Sequence, residues 1–279
     1  MVKKGNASGR LCIIGAAILW GLAGVCIKSV TWSSFSIMAS RCLISLIMLL
    51  SVKKSFKINF NRTNVIGGIL TAVTGLIYIE AIKLTTAGTA IVLQYIAPIL
   101  VYIFEVLFSH KKARLTEILI VAAVFCGCAL SFSDQLDPSH LTGNILALVS
   151  GFAYAGQIIC ANKKSGTPDD QLIIGHVIGI VVCTPFMFFD TNLVFDMKNI
   201  IWILIIGVFQ YGLANILFKN GIQKVHAIEG SLLLTIEPIF NPIPVWIFCG
   251  EVMGPRAIIG AVIVISFVIL YILTSKKRP

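Results

Sequence analysis

The chain of 279 residues is 57% hydrophobic and only 12% charged, with a mean hydropathy of +0.95, where a soluble domain carries about 25% charged residues. That composition cannot cover a water-facing surface, and it excludes a soluble enzyme. The formal net charge of +10 is spread over alternate connections between apolar runs and is not gathered on one soluble segment, so no nucleic-acid partner is expected.

From the N-terminus onward, apolar runs of helical length recur with short interruptions. Runs of about 17 to 25 residues suffice to cross a bilayer as helices. They are predicted near residues 11–30, 34–52, 64–83, 87–108, 115–133, 142–161, 171–189, 200–219, 227–249 and 256–274. The runs lack the alternation of a transmembrane barrel, and backbone groups inside lipid must be bonded internally. The expectation is therefore an all-α integral membrane protein with ten transmembrane helices. Connections as short as Thr31-Trp32-Ser33 and Leu84-Thr85-Thr86 make consecutive helices antiparallel neighbours. Lys3, Lys4 and Arg10 precede the first run, which carries no convincing cleavage site and is read as a retained helix.

Basic residues flanking a span resist translocation. Placing both termini in the cytoplasm puts Arg10, Lys53, Arg62, Lys111, Lys112, Lys163, Lys164, Lys219 and Lys224 inside, among others. It leaves Lys83, Lys198 and Arg256 outside, together with Asp134, Asp137, Asp190 and Asp196. The expected location is the cell membrane, crossed many times.

The segment Ile91-Val92-Leu93-Gln94-Tyr95-Ile96-Ala97-Pro98-Ile99 returns 140 positions later as Ser231-Leu232-Leu233-Leu234-Thr235-Ile236-Glu237-Pro238-Ile239. Both copies are apolar helices interrupted by a proline, so Pro98 and Pro238 are predicted helix kinks. The same offset pairs Ile82 with Ile222, Ala87 with Ala227 and Phe108 with Phe248. The chain is read as two five-helix units, 11–133 and 142–274. Five is odd, so the second unit starts from the opposite side and the repeats are inverted. This is the sequence pattern of carriers whose site lies between the halves.

Ala17-Ile18-Leu19-Trp20-Gly21 in the first helix, Arg41 in the second, the proline-bearing fourth helix, Thr235-Ile236-Glu237-Pro238-Ile239 and the following Gly250-Glu251 together resemble the EamA-type carriers of the drug/metabolite transporter superfamily. The resemblance covers essentially the whole chain. It implies ten helices in two inverted five-helix repeats, a central cavity, and export of amino acids or other small metabolites. Family members often carry an acidic residue just after the fourth helix. The position matching Glu251 is Lys111 here, which puts a symmetric role for Glu251 in doubt.

Ionisable residues inside spans cost from about 2.5 kcal/mol upward at the helix centre, so the few that occur are candidates: Arg41, Glu80, Glu105, His176 and Glu237. Glu237 stands near mid-span directly before Pro238, and proline frees a carbonyl one turn earlier. Carboxylate and carbonyl together suit an ammonium group or a coupling proton; the plainer alternative is a bond to a neighbouring helix. Arg41 and Glu80 fall at comparable depth and are expected to form an ion pair, either structural or gating the outer side. Glu105 nears Lys111 and Lys112 at the inner end. For His176, one turn into the seventh helix, simple hydrogen bonding is preferred to proton relay.

Among uncharged polar residues, Gln94, Gln157, Gln210, Asn215 and Asn241 either bridge helices or line a wet cavity. Gln94 and Gln210 are assigned to the cavity because their helices resemble the cavity-lining ones of the family. Of Trp20, Tyr78, Tyr95, Tyr154, Tyr211 and Trp246, only Trp20 and Tyr211 are kept as substrate contacts, since they lie near mid-depth and a ring face holds a cationic group.

Eight cysteines in no paired pattern indicate neither zinc nor a disulfide framework, and the lack of a phosphate-cradling loop argues against direct ATP drive. No cofactor or metal is expected. Three classes compete. The first is a secondary carrier exporting small polar metabolites such as amino acids or related amines, with a choline-like quaternary ammonium as the alternative solute. The others are an integral membrane enzyme acting on lipids, and a channel. Clustered carboxylates or histidines at a membrane face, which the enzyme would need, are missing from the sequence pattern. Kinked, repeated helices favour a carrier over an open pore. The expected partners are the small metabolite, membrane lipid and a coupling proton.

Overall fold

Five of the helices begin where a short polar side chain closes the first turn. Asn6, Ser33, Asn61, Thr86 and Asp196 all accept a hydrogen bond from a backbone N–H two or three residues on. The computed structural model describes residues 6–53, 57–108, 114–131, 133, 140–241, 244 and 255–276. Of the positions singled out above, Lys3, Lys4, Lys111, Lys112, Asp134, Asp137, Trp246, Phe248, Gly250 and Glu251 lie outside the described residues.

The helices run in the order α1 (Ala7–Trp20), α2 (Ala23–Lys28), α3 (Ser34–Val52), α4 (Arg62–Leu84), α5 (Ala87–Gln94), α6 (Ala97–Phe108), α7 (Leu115–Ser131), α8 (Leu141–Asn162), α9 (Pro168–Met187) and α10 (Met197–Ile205). A π-helical segment (Ile206–Leu213) continues α10 directly into α11 (Ala214–Ile222), followed by α12 (Ala227–Leu234), α13 (Ile236–Phe240) and α14 (Pro255–Lys276). Among the described residues there is no strand. Among the described residues, seven helical stretches are long and apolar enough to cross a membrane, and Leu115–Leu130 and Ile258–Thr274 are shorter apolar helices. Large apolar side chains such as Leu43, Ile47, Phe152 and Val181 stand exposed along the bundle, a surface suited to lipid and not to water.

Four predicted spans differ from plain helices. The first breaks at Gly21–Leu22, the fourth at Tyr95–Ile96, and the eighth swells into the π segment. The ninth breaks at Thr235, between α12 and α13. The breaks at Tyr95 and Thr235 are the same event in the two copies. Pro98 is the second residue of α6 and Pro238 the third of α13, first-turn positions where a missing N–H costs nothing. A proline there cannot bond the carbonyl four residues back, so Gln94 and Leu234 are left with free carbonyls. Gly151 of α8 packs directly on the first: a Cβ at that position would stand 2.7 Å from the Gln94 oxygen. The second receives the Tyr95 hydroxyl at 2.5 Å.

Packing joins early helices to late ones. α4 lies along α8 and α9, α3 along α9 and the π segment, α1 along α11, and α7 along α14. Gly175 permits the α4–α9 contact, since a Cβ there would meet the Gly68 carbonyl oxygen at 2.8 Å. At one end of the bundle Arg10 meets Glu229 at 2.5 Å, Lys53 meets Asp170 and Lys219 meets Asp169.

The opposite end is tied by Asp190, which accepts from Ser33 N at 2.8 Å, Ser36 Oγ at 2.5 Å and Asn192 N at 3.0 Å. Partial burial by itself raises the Asp190 carboxyl, but its hydrogen-bond donors outweigh that and hold it below the usual value. A depressed folded-state value means the stabilisation is fully present above the unfolded value near 3.8 and is lost as pH falls through the lowered one. Asp190→Asn is expected to melt below the native protein at pH 7 in detergent, with the gap closing as pH drops under about 3.8. Equal melting temperatures at pH 7 would remove Asp190 from the tie.

Candidate functional site

A narrow cavity lies between the two halves of the chain. α1, α3, α4 and α5 bring Trp20, Arg41, Thr71, Thr74, Gly75, Tyr78 and Gln94 to its wall; α8, the π segment, α11 and α13 bring Tyr154, Gln157, Gln210, Tyr211, Asn215 and Glu237. The five residues predicted as substrate contacts, Trp20, Gln94, Gln210, Tyr211 and Glu237, thus share one wall. So do Gln157 and Asn215 of the polar set, whereas Asn241 bonds away from it, donating to the Gly21 carbonyl at 2.9 Å.

Arg41 lines the cavity but does not meet Glu80. Its Nη2 donates to the Gly75 carbonyl at 2.9 Å and its guanidinium lies 4.1 Å from the centre of the Tyr211 ring. No ion pair joins Arg41 to Glu80 among the described residues; Glu80 is half-buried, one turn from Lys83, whose charge it offsets. The expected bridge gives way because α3 turns Arg41 inward, where a carbonyl and an aromatic face offset its charge. Glu105 lies elsewhere, in a larger groove with Lys163 and Lys164.

Behind Tyr211 stands fully buried His176, stacked on its ring at 4.9 Å. The imidazole Nδ1 faces the Leu172 carbonyl at 2.5 Å, and Nε2 faces Ser45 Oγ at 2.8 Å and Asn215 Nδ2 at 3.3 Å. A carbonyl accepts and an amide nitrogen donates, so the proton sits on Nδ1 and the ring is neutral. Hydrogen bonding, not exposure to a proton path, accounts for His176.

Around Glu237 the walls are aromatic. Tyr95 Oη lies 2.9 Å from Glu237 Oε2, the Tyr95 and Tyr154 rings meet edge to face at 6.5 Å, and Trp20 meets Tyr154 at 6.1 Å. Gln94 donates to Ser150 Oγ at 3.2 Å. Five buried polar atoms on this wall, Arg41 Nε, Thr74 Oγ1, Tyr78 Oη, Tyr154 Oη and Gln210 Oε1, have no hydrogen-bond partner in the protein. Buried polar groups are normally satisfied, so this is the arrangement of a surface that receives a polar solute or water. Thr71, Thr74 and Tyr78 were not assigned from sequence. Their signal was available: with Gly75 they fall at i, i+3, i+4 and i+7, one face of α4.

The EamA-like transporter family model matches residues 7–133 and again 141–273. The chain belongs to the EamA-like transporter family. Similar proteins include an uncharacterized transporter of Archaeoglobus fulgidus, 22% identical over 94% of this chain and 95% of that one. The uncharacterized inner membrane transporter YicL of Salmonella typhimurium is 23% identical over 97% of both chains. The uncharacterized transporter YwfM of Bacillus subtilis is 25% identical over 73% of this chain and 69% of that one. A solved crystal structure superposes with a TM-score of 0.82 at 13% identity, covering 98% of this chain and 99% of the other; at that identity it speaks for the fold alone. An EamA chain with these apolar helices is a multi-pass membrane transporter, and both family and relatives point away from an enzyme.

Gly75 sets how deeply Arg41 seats in this EamA cavity. A Cβ there would stand 2.8 Å from both Arg41 Nη2 and Met38 Cε. Gly75→Ala is expected to cost about 1–3 kcal/mol by overpacking, measured by thermal or denaturant melting. A change within about 0.5 kcal/mol, the range of surface substitutions, would show that the guanidinium is not held against that backbone.

Proposed function

We propose that this protein is a secondary carrier exporting small polar metabolites, amino acids or related amines, by alternating access around the Trp20–Arg41–Glu237 cavity. The observation that carries the reading is the cavity itself: it is walled by both halves, holds an acid and a base that do not pair with each other, and presents unpartnered polar atoms. A zwitterion or amine has a complement for each part. Its ammonium group faces Glu237, aromatic faces flank its body, and Arg41 and the free hydroxyls take its polar end.

The architecture proposed is ten helices in two inverted five-helix units, 11–133 and 142–274. Two features support it. The family model matches twice, once in each half. The helices matched by the 140-residue offset also run oppositely: α4 starts at the end where Asn61 bonds Ser165, whereas α10 starts at the other end, where Asn199 bonds Thr31. Basic side chains concentrate at the first of these ends, which favours both termini in the cytoplasm. Glu80 and Arg41, being unpaired with one another, are proposed to act separately, Arg41 as a solute contact and Glu80 at the outer rim.

Efflux from proteoliposomes loaded with amino acids, amines including choline, and nucleosides, followed by mass spectrometry, tests the reading. The native protein is expected to release one class selectively, and Glu237→Gln to reduce that release at least tenfold, about 1.4 kcal/mol or more of lost solute interaction. Selective release of choline would move the solute to quaternary ammonium. Release unchanged in Glu237→Gln would take the carboxylate off the pathway.

A further inference from the structure

The second proline-freed carbonyl, that of Leu234, and the cavity carboxyl meet at one phenol. Tyr95 Oη lies 2.5 Å from the Leu234 carbonyl oxygen and 2.9 Å from Glu237 Oε2. A tyrosine hydroxyl owns a single proton. If Glu237 were ionised, both neighbours of that hydroxyl would be acceptors competing for one hydrogen, and one contact would be oxygen against oxygen with nothing between.

An ionised Glu237 would also lack compensation. Its side chain is 3% exposed, and no lysine, arginine or histidine forms an ion pair with it among the described residues. The titratable groups around it are Tyr95 at the α5–α6 break, Tyr78 on α4 and Tyr154 on α8, with Arg41 of α3 on the same cavity wall but engaged with Gly75 and Tyr211. A buried carboxylate in such a setting takes up a proton instead.

We propose that Glu237 holds a proton in this conformation and that Tyr95 makes the tie between the two kinked helices depend on it. The proton on Glu237 Oε2 donates to Tyr95 Oη, which leaves the phenol hydrogen for the Leu234 carbonyl, and each of these two hydrogens meets one acceptor. When the Glu237 proton leaves to water entering the open cavity, the carboxylate draws the phenol hydrogen to itself by the stronger charge-assisted bond. The Leu234 carbonyl then has no donor. Because Pro238 cannot supply one, the carbonyl must be hydrated, and the α5–α6 break is released from the end of α12. One proton therefore decides whether the matched kinks are joined.

The protonation rests on geometry alone; only its use in transport rests on the carrier reading. Infrared spectroscopy of the full chain in liposomes, across pH 5 to 9, separates the two. The native protein at pH 7 is expected to show a carboxylic C=O stretch that is missing in Glu237→Gln and fades at higher pH. In Tyr95→Phe the band is expected to persist at shifted frequency, because the acid loses its acceptor and not its proton. Native and Glu237→Gln spectra that coincide in this region at pH 7 would overturn the protonation. A band in Tyr95→Phe that does not move would overturn the role of Tyr95. Either reading is obtained whether or not any solute is carried, so failure of the efflux experiment and failure of this proposal are distinct.

Discussion

A proline in an apolar helix leaves one carbonyl without its donor, and in a membrane that carbonyl cannot be left to solvent. This chain faces the constraint twice, at matched positions, and the surroundings of the two carbonyls differ. Gln94 is approached by the bare backbone of Gly151, and Leu234 by the hydroxyl of Tyr95. Each arrangement requires a helix from elsewhere in the chain to come close. The close approach of α5 to α8 and of the α5–α6 break to α12 therefore follows from the prolines, and the cavity occupies the space those approaches leave between the halves.

The rest of the polar interior is arranged around the same need. Arg41, His176, Tyr211 and Asn215 form a continuous buried array in which the cation rests on a ring, the ring on a neutral imidazole, and the imidazole on Ser45 and a backbone carbonyl. Such arrays are costly when incomplete. Here Arg41 Nε, Thr74 Oγ1, Tyr78 Oη, Tyr154 Oη and Gln210 Oε1, all without a hydrogen-bond partner in the protein, line the cavity. The ends of the bundle contrast with this. Their charges are paired or hydrogen-bonded across the helix connections, by Arg10 with Glu229 at one end and Asp190 with Ser33 and Ser36 at the other.

Much of this was legible in the sequence. The length of the apolar runs placed helices where they occur, because lipid imposes a single minimum length, and the two prolines located both breaks to within three residues. Glu237, Trp20, Gln94, Gln210 and Tyr211 could be singled out because polar or amphipathic groups at mid-depth have few other uses. Arg41 with Glu80 was the instructive failure. Equal depth says nothing about which way a side chain faces, and the inward turn of Arg41 depends on Gly75 of the neighbouring helix leaving room for it. Thr71 and Thr74 escaped notice for a related reason: threonine in an apolar helix commonly bonds its own backbone, as Thr71 does to Gly67 at 2.8 Å, so its presence alone carries no information about a cavity.

The π-helical stretch Ile206–Leu213 holds Gln210 and Tyr211 at the cavity by widening the helix instead of breaking it. A wide turn accommodates an extra residue that an ordinary helix would have no room for. The segment thereby divides the eighth span into two stretches whose side-chain phases are set separately. Deleting one residue within it would restore regular winding and swing everything on one side of it by about 100° relative to the other. A lineage of such proteins could thus change which side chains look into the cavity by a single codon gained or lost, without replacing any of them.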